Sequence, residues 1–348
     1  MSNEQEARIA LVAATYKRPG ALATLLESLR SQRLDPELFE VAVVVDGLDE
    51  CEEEYRKLLN VTHAEASFRL SYAFQSNAGP SVARDRAIGL TTAPWICIVD
   101  DDMDLAADFL DAHLRLLEAG GSETVVIGKV VPEEAWERQP LYEAMRTKGM
   151  LRMHEQIESG ARQAEPAAFV TQNVSLSRKK YLEVGGLDAE LRLGEDTELG
   201  FRLKAAGANF VFGSRASAVH RSRIGSYESW LARQFEYGRI SFQLYEKLGR
   251  DPAAHPLRNL VTGNPIKSII VHMACWWDPL ALTAISFLRL MGLSFHAAGL
   301  NLPAIATHNA IMALAYHVGV KRTLGSWAAV LREERSFKLM PERPLLPS

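Results

Sequence analysis

Three consecutive carboxylates, Asp100, Asp101 and Asp102, follow the short apolar run Trp95–Val99. That run is rich in β-branched residues and is bounded by Pro94, which predicts a buried strand with the acids at its carboxyl end. Adjacent carboxylates repel, and gathering them at a buried edge requires compensating positive charge. A divalent cation held by oxygen ligands, with a substrate phosphate completing its shell, supplies it. The carboxyl ends of strands in an open α/β sheet are also where ligands bind. A solvated acidic turn is the plainer alternative. Tyr16 and Asp46 also fall at or just beyond predicted strand ends, and Arg84 falls one turn into a predicted helix. An aromatic ring can stack on a base, and a carboxylate can hold a base or a ribose hydroxyl. A guanidinium can reach a phosphate. Taken singly, Tyr16 is a half-buried loop residue and Asp46 a turn cap. Taken together at one sheet edge, they describe a pocket.

The elements that must position these residues alternate. Ile9–Ala14 is an apolar strand, and Pro19 suits the first position of a helix whose Leu22, Leu25, Leu26 and Leu29 share one face. Phe39–Val45 is a second strand, ending at Asp46-Gly47. Phe68, Leu70, Tyr72 and Phe74 alternate as a third. A helix starting at Pro80 leads to the strand before the aspartates. The order β-α-β-(α)-β-α-β implies a mostly parallel, doubly wound sheet. Beyond it, Leu105–Ala119 has helical periodicity, Thr124–Val131 and Phe169–Ser177 read as strands, and residues 132–166 are mixed, a mobile segment that meets a substrate or a plain surface excursion. Gly194-Glu-Asp-Thr-Glu-Leu199 opens a helix that stops at Gly207. Acids at a helix amino terminus are favourable against its dipole, so Glu195 and Asp196 are caps on the simplest reading. Val211–His220 is a strand and Trp230–Tyr245 a helix.

These motifs, in this order, resemble the inverting family 2 glycosyltransferases of the GT-A fold over roughly residues 8–240. The resemblance rests on Ala14-Thr-Tyr-Lys-Arg-Pro19, the Val43–Gly47 strand end, Asn77-x-Gly-Pro through Arg84, the Asp100–Asp102 triplet, and an Asn-bearing strand followed by Gly185-Gly-Leu-Asp188 and Glu195-Asp196. Two departures are visible. Gly47 stands where many members carry a second acid, and Leu187 replaces the usual Phe. The resemblance implies a Rossmann-like, mostly parallel sheet flanked by helices, with a C-terminal helical extension. It divides the chain into a GT-A domain over residues 1–249 and an apolar helical extension over 250–348. Within the first, residues 8–104 form the nucleotide-sugar half and 105–249 the acceptor half.

The resemblance also assigns roles. Thr15, Tyr16, Arg18, Asp46, Arg84, Asp100 and Asp101 are expected to bind the nucleotide sugar, with uridine the favoured base. Asp100, Asp102 and His220 are expected to bind Mn²⁺ or Mg²⁺, and a histidine among oxygen ligands tilts the choice to Mn²⁺. Asp196, beside Glu195, is the expected general base. The implied reaction is the transfer of one sugar from a nucleotide-diphosphate sugar to a hydroxyl of a glycan, lipid-linked or small-molecule acceptor in a bacterial-type glycan pathway. Gln234-Phe-Glu-Tyr-Gly-Arg239 replaces the Gln-x-x-Arg-Trp of processive members, which favours a single transfer.

Composition adds bounds. With 348 residues, 47% hydrophobic and 24% charged, the chain is of ordinary globular type, and a net charge of −4 gives no sign of a nucleic-acid partner. Three scattered cysteines and a polar first hexapeptide without a signal-peptide pattern predict a reducing, cytoplasmic setting. Between Ser268 and Val320, Asp278 and Arg289 are the only Asp, Glu, Lys or Arg. Helices packed on the catalytic domain are the favoured arrangement for it, with amphipathic helices at the cytoplasmic face of a bilayer and a homo-oligomer surface as the alternatives. Three other functions compete. A nucleotidyltransferase lacks its Gly-rich triphosphate loop here. A polyprenyl-phosphate glycosyltransferase needs no strong base, and an inactive nucleotide-sugar-binding scaffold has no use for intact Asp100, Asp102, Asp196 and His220.

Overall fold

A computed structural model describes residues 6–221 and 225–340, so residues 1–5 of the polar amino-terminal stretch lie outside it. The strands are β1 (Ile9–Thr15), β2 (Phe39–Asp46), β3 (Arg69–Gln75), β4 (Trp95–Asp100), β5 (Met103–Leu105), β6 (Thr124–Pro132), β7 (Asn173–Ser177) and β8 (Asn209–His220). The helices between them are α1 (Pro19–Arg30), α2 (Glu52–Glu65), α3 (Pro80–Gly89), α4 (Phe109–Gly120), α5 (Leu141–Glu158), α6 (Arg178–Glu183) and α7 (Glu195–Ala205).

The strands form one sheet in the order β3-β2-β1-β4-β7-β6-β8-β5. The pairs β1–β2, β2–β3, β1–β4 and β6–β8 are parallel, whereas β7 runs antiparallel to both β4 and β6, and β5 antiparallel to β8. The expected GT-A architecture is the observed one. Strand periodicity explains its layers. Ile9, Leu11 and Ala13 enter one core with the leucines of α1 and α4, and Val12 enters a second with Ala83 and Ala87 of α3 and Leu199 and Leu203 of α7. Both faces are therefore covered, as a parallel sheet requires. The register opposes Thr15 to Val45, Ala14 to Asp100 and Asp46 to Gln75, so the chemistry-bearing strand ends finish at one edge.

Two local readings differ from the structure. The strand expected from Phe169 begins at Asn173, because Pro166–Ala168 forms a 3-10 turn before it. The segment 132–166, read as mobile or a surface excursion, holds α5, whose Ala144 and Met145 belong to one core while Met153 and Ile157 pack against another.

The chain divides into two compact units, residues 1–133 with 150–222, and residues 134–149 with 223–348. The second contains α8 (Tyr227–Lys247), α9 (Arg258–Val261), α10 (Pro265–Cys275), α11 (Asp278–Ala297), α12 (Asn301–Leu324) and α13 (Trp327–Lys338). Its core gathers Trp230, Phe242, Ile311, Leu314 and Val318. Gly238 and Gly319 let α8 and α12 touch: a Cβ on Gly238 would lie 1.9 Å from the Tyr316 carbonyl oxygen, and one on Gly319 2.1 Å from that of Phe235. Among the described residues, α11 is the one helix long and apolar enough to cross a membrane, with a mean hydropathy of 1.4 over its most apolar window.

In the first unit, Asn173 ties three strands and a helix together. Its Nδ2 donates to the carbonyls of Lys129 (3.2 Å) and Ala216 (3.0 Å), and its Oδ1 meets His113 Nε2 at 2.9 Å. His113 is fully buried, which lowers its pKa to about 4 and keeps it neutral. Asn173→Ala is expected to cost about 2–4 kcal/mol in urea unfolding by orphaning these buried groups. A loss under about 0.5 kcal/mol, the range of a surface change, contradicts this role.

Candidate active site

At the β2 end, Asp46 is buried and both its carboxylate oxygens are engaged by this chain. Oδ1 accepts from Gln75 Nε2 and the Ala78 N–H, each at 2.8 Å, and Oδ2 accepts from the Gly79 N–H at 2.9 Å. Asp46 thus shapes the Asn77–Pro80 turn that starts α3. A carboxylate has about four acceptor positions, so one remains for a ligand. At the β1 end, the Thr15 hydroxyl bonds Tyr55 Oη at 2.7 Å, and that oxygen accepts the Arg18 N–H at 2.7 Å. Tyr16 is 44% exposed, and its ring lies over Gly47, where a Cβ would meet it at 2.6 Å. Gly47 therefore replaces the second acid for a steric reason: it clears the seat of an open aromatic platform. Lys17 holds a left-handed φ of 55° beside that ring, a local strain of the kind found at binding sites.

Two guanidiniums partly compensate the three aspartates at the β4 end. Arg84 Nη2 donates to Asp100 Oδ1 at 2.7 Å, while Arg18 contacts Asp101 Oδ1 at 2.6 Å and Asp102 Oδ2 at 2.5 Å. Asp101 is fully buried. Burial raises its pKa to about 7, against the pull of Arg18 and with repulsion from Asp102 and Asp100 adding to it. The short strand β5 then pairs Met103 with His220, which brings His220 Nε2 to 3.5 Å from Asp102 Oδ1. A cavity of about 360 Å³ opens here, lined by Arg18, Gly20, Ala21, Thr24, Asp102 and Arg221.

Across the site, Gly194 caps α7 with a left-handed φ of 79°, a turn that a residue with a Cβ resists by about 1 kcal/mol. That turn delivers Glu195 and Asp196. Arg84 Nη1 donates to Glu195 Oε1 at 3.1 Å, so one buried guanidinium bridges Asp100 and Glu195. Asp196 accepts the Thr197 N–H at 2.6 Å. Burial, and then the charge of Glu195, raise its pKa to about 6, although Thr197 and Arg84 both favour the charged form.

The structure therefore brings Arg84, Asp100, Glu195 and Asp196 into one group, and Arg18, Asp101, Asp102 and His220 into another beside it. Asp46 and Tyr16 hold the neighbouring strand ends. Among the described residues, no group of three or more His, Cys, Asp and Glu side chains is gathered for a metal. Asp102 and His220 are side by side, whereas Asp100 turns to Arg84. An oxygen–nitrogen pair beside a cavity fits an ion that takes few protein ligands and fills its shell with substrate phosphates. Two residues escaped the sequence reading. Tyr55 positions Thr15 and Arg18 from inside the Glu-rich α2, and its signal was a lone aromatic in a polar segment. Arg221 lines the cavity and ion-pairs with Asp104, and its signal was a cation directly after a strand-end histidine.

A sheet of this order, with ligand-type side chains on its parallel strand ends and an acidic helix start facing them, defines a GT-A-type domain. A family model described as glycosyl transferase family 2 matches residues 11–185, half of the chain. The chain belongs to that family. The validoxylamine A glucosyltransferase of Streptomyces hygroscopicus subsp. limoneus is 29% identical over 226 residues, which cover 57% of this chain and 48% of that protein. The glucosyl-dolichyl phosphate glucuronosyltransferase of Haloferax volcanii is 26% identical over 184 residues, 52% of this chain and 56% of that one. The chain spans about half the length of the curated relatives it matches. The solved structure of the mannosyltransferase PcManGT from Pyrobaculum calidifontis, in complex with GDP-Man and Mn²⁺, has a TM-score of 0.59 over 90% of this chain and 87% of that one. It is 18% identical, a likeness of fold.

The charges around Asp196 make opposite predictions for two variants. Glu195→Gln removes a repelling charge and is expected to lower the Asp196 pKa below 6. Arg84→Met removes an attracting one and is expected to raise it above 6. Carboxyl carbon NMR titration reads both, and shifts of the same sign would refute this electrostatic arrangement.

Proposed function

We propose that this protein transfers a single sugar from a nucleoside diphosphate sugar to an acceptor hydroxyl, with inversion at the anomeric carbon. The observation that carries the reading is Asp196. It is a carboxylate desolvated enough to have a pKa of about 6, set at a helix start and linked through Glu195 and Arg84 to the acidic end of β4. A base of that strength is largely ionised at neutral pH and still accepts a proton more readily than an ordinary aspartate. Family membership and the GT-A fold support the same reading.

In the proposed reaction, Asp196 takes the proton from the acceptor hydroxyl as its oxygen attacks the anomeric carbon. The diphosphate leaves from the opposite face, so the configuration inverts. Tyr16 stacks on the base, and the remaining acceptor position of Asp46 takes a base or ribose donor group. Arg18 and Arg221 face the cavity where negative charge collects. Asp102 and His220, with Asp100 on the same strand end, would hold Mn²⁺ or Mg²⁺, which would supply Lewis-acid stabilisation of the departing diphosphate. Arg84 keeps the Asp100 and Glu195 carboxylates apart from one another's charge while the site is assembled. The acceptor class follows from the base: a hydroxyl needs one, whereas a phosphate acceptor does not.

Donor binding and turnover separate the roles. With a nucleotide-sugar panel and Mn²⁺, Asp196→Asn is expected to keep calorimetric donor binding and lose transfer by roughly 10²–10⁴-fold. Asp102→Ala is expected to lose the metal-dependent part of donor binding. In wild type, kcat/KM should rise as pH increases through about 6, because the base must lose its proton first. Wild-type turnover in Asp196→Asn would sink the assignment of the base, and donor affinity indifferent to metal in wild type would sink that of Asp102.

A further inference from the structure

The helices of the second unit present their apolar residues outward. In α10, Val271, Ala274 and Cys275 face the core, while Ile266, Ile269, Ile270 and Met273 form an exposed stripe at helical spacing. A helix at a water-facing surface carries polar residues there. The α11 helix continues the pattern: Leu280, Phe287, Leu290 and Leu293 are exposed, and only 17% of its most apolar window is buried. Trp276 and Trp277, 68% and 63% exposed, join the two helices. A contiguous apolar face of this kind marks an interaction surface.

Three observations identify what covers it. First, Trp276 belongs both to the apolar face and to a cavity of about 370 Å³ that Trp327, Arg335, Lys338, His272 and Glu334 also line, the buried Glu334 carboxylate pairing with Lys338 at 2.6 Å and His272 at 3.3 Å. Arg335 adds a further positive charge to that wall, beside the tryptophan that follows α10. Second, residues 225–340 carry twelve Lys and Arg against seven Asp and Glu, although the whole chain is acidic. Third, an exposed tryptophan pair between an apolar face and charged groups matches the boundary layer of a bilayer. Those charged groups are Asp278, Lys321 and Arg322: Asp278 pairs with Lys321 and, at 3.2 Å, with Arg322.

We propose that the α10–α11 face lies on an anionic lipid bilayer, in the plane of the interface, with the Trp276–Trp277 pair at its boundary layer. It lies along the bilayer and does not cross it, because Arg289 in the middle of α11 is ion-paired with Glu228 at 3.2 Å and stacked over Tyr227 at 3.8 Å. Crossing would carry that charged contact into hydrocarbon. The protein thereby sits at a membrane surface by its second unit, a property separate from sugar transfer.

Flotation of the full chain with phosphatidylcholine vesicles, and with equimolar phosphatidylcholine and phosphatidylglycerol, tests this. Wild type is expected to float with the mixed vesicles and more weakly with phosphatidylcholine alone. Met273→Glu and, independently, Leu290→Glu should abolish flotation with both. Both side chains are exposed, so the core is untouched. Arg335→Glu should weaken binding to the mixed vesicles by about fivefold or more and leave phosphatidylcholine binding unchanged. Wild-type protein that stays with the aqueous phase in both cases overturns the proposal. So does flotation unaffected by Met273→Glu and Leu290→Glu. A dimer in light scattering that these substitutions split, without vesicle binding, assigns the face to a second copy instead.

Discussion

The Arg84 guanidinium holds the candidate site together. It is nearly buried, and it is shared by Asp100 at the end of β4 and Glu195 at the start of α7. Those elements lie far apart in sequence, and each delivers a carboxylate that the other would repel. Removing one partner of a buried ion pair costs about 3–5 kcal/mol, because the remaining charge is left uncompensated. Arg84 is itself placed by α3, whose first turn is fixed by the Asp46 carboxylate. The donor-side strand ends, the guanidinium and the acidic helix start therefore form one connected structure.

The same electrostatic constraint explains the neighbouring group. Three successive aspartates cannot share a desolvated strand end without cations. Arg18 supplies part of the compensation from the β1–α1 turn, which Tyr55 anchors. Burial still raises the Asp101 pKa to about 7 against the pull of Arg18, with smaller repulsion from Asp102 and Asp100. A site with residual carboxylate repulsion beside an open cavity is suited to added positive charge. Asp196 is raised for a related reason, burial beside Glu195, and in the proposed reaction that perturbation serves proton transfer.

Much of the fold was legible because the first four strands alternate or run apolar between Gly, Pro and Asp punctuation, and because the leucines of α1 repeat at helical spacing. The positions of Asp46, Arg84 and the aspartates at one edge followed from that order. Other features were not legible for identifiable reasons. The three residues of β5 are too few for a pattern, yet their pairing with β8 places His220 beside Asp102. The helix α5 divides its apolar residues between two cores, which erases a single stripe. The ion pairs of Arg18 and Arg84 depend on elements that meet only in the folded chain, and no local spacing encodes them. The outward apolar stripe of α10 has ordinary helical periodicity, and which side faces the core is decided by packing alone.

The central claim is a direct, base-assisted displacement by the acceptor hydroxyl, with Asp196 on the face opposite the leaving diphosphate. The anomeric configuration of the first product formed tests it most directly, read by proton NMR coupling constants before any mutarotation or secondary transfer. An α-linked donor is predicted to give a β-linked product. An α-linked product would mean retention, and would contradict the account of Asp196 as the base of a single displacement.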